Sequence, residues 1–68
     1  MSEQDKKWIE KCISEPNKYK IFVDNDIIFV CDISSGDDDY DEVHSFDEYG
    51  YYFAKALLEH LGCNVDFV

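Results

Sequence analysis

The sequence has no arginine, and five of its six lysines lie within residues 1–20. Phosphate contacts need clustered Lys and Arg, so direct nucleic-acid binding is not expected. Proline occurs once, at Pro16, and glycine three times, so nothing resembles a flexible linker or a glycine-rich phosphate loop. No stretch approaches the roughly 20 apolar residues of a membrane span. Met1 to Glu15 is polar, without the apolar run of a signal peptide. Three cysteines, Cys12, Cys31 and Cys63, are an odd number and do not suggest a disulfide framework. Together these absences point to a reducing compartment, the cytoplasm, with thiols buried as small hydrophobes.

What the chain has in excess is acid. Sixteen carboxylates against six lysines give a formal net charge of −10. That exceeds the roughly 2–8 charges comfortable for a small domain, and self-repulsion opposes compaction. The imbalance is local. Residues 1–20 hold five lysines and four acids, a net of +1; residues 21–68 hold Lys55 and twelve acids, a net of −11. At 46% apolar and 16% aromatic residues the chain is nonetheless rich enough to fold. Its 68 residues bound one domain, 1–68, with a small core.

The pattern predicts an α+β domain in the order α-β-β-(β)-α-β. A first helix over Glu3–Ser14 is capped by Ser2 with Asp5, turns Trp8, Ile9, Cys12 and Ile13 inward, and stops at Pro16. Residues 19–23 and 27–33 read as a hairpin around Asp24-Asn25-Asp26. The second of these strands is apolar on both faces, so it is central or covered by a partner. A short third strand could start near Tyr40. The Ser45/Glu48 pair reads as a capping box for a helix over Phe46–Leu61, with Asp47 and Glu48 at its positive end. Its core stripe would hold Phe46, Tyr49, Gly50, Phe53, Ala54, Leu57 and Leu61, with Gly50 allowing close approach to the sheet. Gly62 ends it, and Cys63, Val65 and Phe67 alternate as a terminal strand. An antiparallel, hairpin-based sheet with helices on one face follows.

Several chemistries can be weighed by spacing. The run Asp37, Asp38, Asp39, Tyr40, Asp41, Glu42 lacks the alternate ligands and internal glycine of a calcium loop. Cys31, His44, His60 and Cys63 contain no Cys-x-x-Cys knuckle for zinc. A cysteine nucleophile would lack an accompanying oxyanion turn. The expectation is a non-enzymatic protein with no cofactor and no bound metal. The acidic run instead suits a basic partner surface, because an aromatic among carboxylates can stack on a guanidinium while its neighbours pair with it. On the second helix, Glu48, Tyr52, Lys55 and Glu59 lie opposite the core stripe, with Asp47, Tyr51 and Leu58 on its flank. Tyr52 is expected to be exposed for binding and Tyr51 to widen the core.

In size, lack of arginine, acidic asymmetry over residues 21–68 and the tyrosines Tyr40 and Tyr52, the chain resembles the small acidic inhibitors that bacteriophages carry against host machinery. These include DNA-mimic proteins and many anti-CRISPR proteins. The resemblance is one of composition and rests on no shared motif. It implies a rigid array of carboxylates that occupies the basic groove of a nucleic-acid-binding protein and excludes the substrate. The expected contact residues are Asp37, Asp38, Asp39, Tyr40, Asp41, Glu42, Asp47, Glu48, Tyr52 and Glu59. The alternative is a small adaptor or regulator that binds through its apolar sheet, including as a homodimer.

Overall fold

The first helix, α1 (Glu3–Ser14), begins where local chemistry demands it. In the computed structural model, which describes residues 1–36, 38–48 and 50–67, the Asp5 N–H donates to the Ser2 hydroxyl at 3.1 Å. The Ser2 N–H donates back to the Asp5 carboxylate at 3.4 Å, completing the capping box. Ile9 and Cys12 are buried as expected, whereas Ile13 is exposed. The inward stripe is completed by Asp5 itself, one and two turns before Ile9 and Cys12, and Asp5 is fully buried.

The strands β1 (Tyr19–Asp24) and β2 (Ile27–Asp32) pair antiparallel around Asn25, whose φ of +57° is the left-handed geometry that Asn tolerates. A third strand, β3 (Asp41–Ser45), pairs antiparallel with β2, with a register shift at Val30/Cys31. The fourth, β4 (Val65–Phe67), lies parallel to β1, giving the order β3-β2-β1-β4. The sheet is therefore mixed, where an antiparallel one was expected. The reason is geometric: β3 and β4 run in the same direction at opposite edges, so the chain needs a crossover, and a helix supplies it. As expected, β2 is interior. Tyr19, Ile21 and Val23 of β1 and Ile28 and Val30 of β2 share one face and form a core with Ile9, Cys12, Phe46, Ala54, Leu57 and Cys63. Both helices pack on that face.

The second helix, α2 (Tyr51–Glu59), is shorter than its local signals suggest. The Ser45/Glu48 capping box does not form; the N-cap is Gly50, with no side-chain cap. Tertiary bonds outcompete it. Ser45 stays in β3 opposite Phe29, the Phe46 N–H donates to the Ile28 carbonyl at 2.9 Å, and the Asp47 N–H donates to Asp5 Oδ2 at 3.3 Å. Asp47 and Glu48 thus precede the helix, and Glu48 pairs with the N-terminal ammonium at 3.2 Å. Gly50 serves by conformation, not by close packing. Its φ is +109°, and a Cβ there would meet nothing within 4 Å. At the other end His60 is the C-cap and Gly62 adopts φ +73°. Leu61, expected in the stripe, falls beyond the last turn and is exposed. Tyr49 lies outside the described residues.

Two consequences are measurable. Replacing Gly50 with Ala is expected to destabilise the domain by about 1–2 kcal/mol, because only the backbone conformation resists it; urea unfolding checks this. The Asp5 carboxyl is pushed up by burial, but bonds from His44, the Asp47 N–H and Ser2, with the charge of His44, outweigh this and hold it below its ordinary value of 3.8. The folded chain thus binds this proton less readily than the unfolded chain. Its contribution to stability is present above that ordinary value and is lost as pH falls through the lowered folded value. Asp5→Asn should flatten the acid limb of the stability curve, while Asp5→Ala should cost about 2–4 kcal/mol near neutral pH. An unchanged acid limb in Asp5→Asn would remove Asp5 from this role.

Candidate docking surface

The acidic run divides between a loop and a strand. Asp38 and Asp39 are exposed in the loop after Gly36; Asp41 and Glu42 open β3, an edge strand, and are also exposed. Asp37 lies outside the described residues. The register sets Asp41 directly across from Asp32, and Glu42 across from Cys31. Like charges in opposed strand positions repel. The Ser34 side chain and backbone N–H, at 2.6 and 2.9 Å, stabilise the charged form of Asp32 and hold its carboxyl below the usual range. Burial raises the Cys31 thiol, and Glu42 and Asp41 raise it further. Edge charges also deter stray strand pairing. This end of the sheet concentrates negative charge, offset at Asp32 by the nearby Lys18 ammonium.

Tyr40 does not project freely from the run. Its ring stacks on Phe22, with centroids 5.0 Å apart and planes at 28°, yet the residue remains 47% exposed. Because Tyr40 leads into β3 while Phe22 lies on β1, the side chain reaches across β2. Phe22 also stacks on Phe29 at 5.9 Å. Tyr40 therefore joins the loop to the sheet face opposite the helices.

The remaining expected contact residues form a separate group. Tyr52 is 86% exposed on α2, and Glu59 lies two turns further along the same outer face. Tyr51 is exposed as well, where it was expected to widen the core. It packs against Phe67 with centroids at 5.9 Å, and Lys55 Nζ sits 5.9 Å from its ring centre. Asp47 and Glu48 lie at the joint between β3 and α2, beside the start of α1. The fold therefore holds the loop–β3 acids at one sheet edge, whereas α2 packs towards β4 at the other.

A polar pair that the sequence reading missed holds this joint. The His44 Nε2–H donates to Asp5 Oδ1 at 2.6 Å. Trp8 stacks on the imidazole at 6.1 Å and Phe46 meets it edge-on at 5.1 Å. The available signal was the spacing of Asp5 with Ile9 and Cys12, which places a carboxylate on an apolar stripe. Among the described residues no pocket forms and no group of three His, Cys, Asp or Glu is placed to hold a metal. All three cysteines are free and buried. Cys63 belongs to the core cluster, while Cys31 sits on the opposite face of the sheet. No described helix is long and apolar enough to cross a membrane. Comparison of the chain with protein-family models, curated proteins and solved structures finds no match.

The opposed carboxylates yield a direct test. Asp41→Asn should raise the melting midpoint at low ionic strength, and the gain should shrink as salt approaches roughly 0.5 M, where surface charges are screened. Equal midpoints at both salts would mean that Asp32 and Asp41 do not repel appreciably in the folded chain.

Proposed function

We propose that this chain is a non-enzymatic acidic inhibitor that occupies the basic nucleic-acid-binding site of another protein, acting as a mimic of DNA or RNA charge inside the cell. The observation that carries the reading is the acidic array at the β2–β3 end, where Asp32, Asp41 and Glu42 occupy defined strand positions and Asp38 and Asp39 continue the negative surface. Carboxylates set by a sheet register lose little freedom on binding, which favours affinity. A lysine- and arginine-lined groove would relieve their mutual repulsion and would be attracted from a distance. The resemblance to phage-type inhibitors, DNA-mimic and anti-CRISPR proteins among them, points the same way. Three buried free thiols are compatible with a reducing compartment.

The partner class is a basic protein surface; nucleic acid itself and anionic membranes are repelled by the same charge. Tyr52 and Glu59 on α2 provide a second acidic and aromatic surface for a partner that wraps around the domain. The alternative, an adaptor whose partner does not handle nucleic acid, draws on the exposed apolar residues of the sheet.

Capture from cell lysate on the immobilised chain, with and without added duplex DNA or RNA, distinguishes the two. Under mimicry, nucleic acid displaces the captured protein, and retention falls steeply with salt. Changing Asp38, Asp39, Asp41 and Glu42 to Asn or Gln should weaken retention about tenfold or more. A captured protein that still binds nucleic acid normally while held in the complex would overturn mimicry.

A further inference from the structure

The helices cover one face of the sheet, and the other carries residues that a solvated face does not require. By strand alternation Lys20, Phe22 and Asp24 of β1 and Ile27, Phe29 and Cys31 of β2 share this face. Ile27 is 59% exposed at the hairpin end, Phe22 and Phe29 are half-buried, and Tyr40 lies on Phe22. A strip of apolar and aromatic side chains thus runs across the two central strands. Its surroundings are acidic. Asp24 lies beside Ile27, Glu42 beside Cys31, and Asp66 of β4 beside Phe22. The one lysine on the strip, Lys20, is already matched with Asp66 at 3.5 Å.

An apolar centre with a charged border is the anatomy of a protein interface. Among the described residues the border is acidic apart from the paired Lys20, which selects the occupant. A second copy of this chain would bring acid against acid, with a net charge of −10 on each side. An uncharged apolar partner would leave the bordering carboxylates to be desolvated without compensation. We propose that this uncovered face receives an apolar segment bordered by arginine or lysine on the partner protein, with a guanidinium stacking on Tyr40 and paired by neighbouring carboxylates. The assignment deepens the reading above, on which its basic partner rests: charge attracts the partner, and the aromatic strip binds it once seated. Four strands at about 4.8 Å spacing make a face roughly 19 Å wide, wider than a helix of about 10–12 Å.

The test uses the full chain and a designed probe, a helical peptide of about 18 residues with a leucine stripe bordered by arginines. A control peptide keeps the arginines and replaces the leucines with serine. Amide-resolved NMR titration is expected to shift Phe22, Ile27, Phe29 and Tyr40 most with the leucine peptide. Ile27→Asn should weaken binding about tenfold, while Leu58→Asn, an equal apolar loss on α2, should change it by less than about twofold. Thermal melts establish that both variants are folded, and the wild-type titration needs neither. Equal affinity for both peptides, shifts centred on Tyr52 and Glu59, or self-association through Ile27 in sedimentation would each overturn the assignment. Peptide binding at this face together with failed nucleic-acid displacement would sink mimicry and leave the face assignment standing.

Discussion

The carboxylate of Asp5 is the point at which otherwise separate parts of the chain are held together. It is fully buried and accepts hydrogen bonds from the Ser2 N–H, the Asp47 N–H and His44 Nε2. One side chain thereby ties the start of α1 to β3 and to the segment leading into α2. A buried carboxylate without such partners would be severely destabilising. With them it specifies how the helix meets the sheet edge, because a shifted register would break several bonds at once. Around it the aromatic rings of Tyr19, Trp8, His44, Phe46 and Phe53 meet in succession from β1 to α2.

This anchoring explains where the negative charge can sit. β3 is an edge strand whose first residues are acids and whose inner contacts are few, apart from His44. The His44–Asp5 bond and the pairing with β2 hold this acidic strand in place. Bonding near the core thus keeps two carboxylates in opposed strand positions at the surface. The same division appears across the sheet, with helices on one face and a thin aromatic strip on the other.

Much of the fold could be read locally. The capping pair of Ser2 and Asp5 placed α1, the β-branched and aromatic runs around Asn25 placed the hairpin, and alternation at Val65 and Phe67 placed β4. The start of α2 was misread, although its local signal was good, because the Ser45/Glu48 box competes with bonds that only the folded sheet can offer. The exposure of Ile13, Tyr51 and Leu61 likewise depends on where each helix ends and what lies over it. For the candidate surface, exposure of the acids was legible from composition. Their grouping was not: the sheet separates Asp38 to Glu42 from Tyr52 and Glu59, and Tyr40 turns onto Phe22.

By itself the sequence determined the element types, the acidic excess after residue 20 and the central place of the second strand, since these follow from short-range periodicity and from counting charge. The tertiary structure alone decided that β4 lies parallel beside β1, that Asp5 is buried against His44, and that Asp32 faces Asp41. Each joins residues far apart in the chain or in adjacent strands, and its energy depends on register and burial that no local window contains.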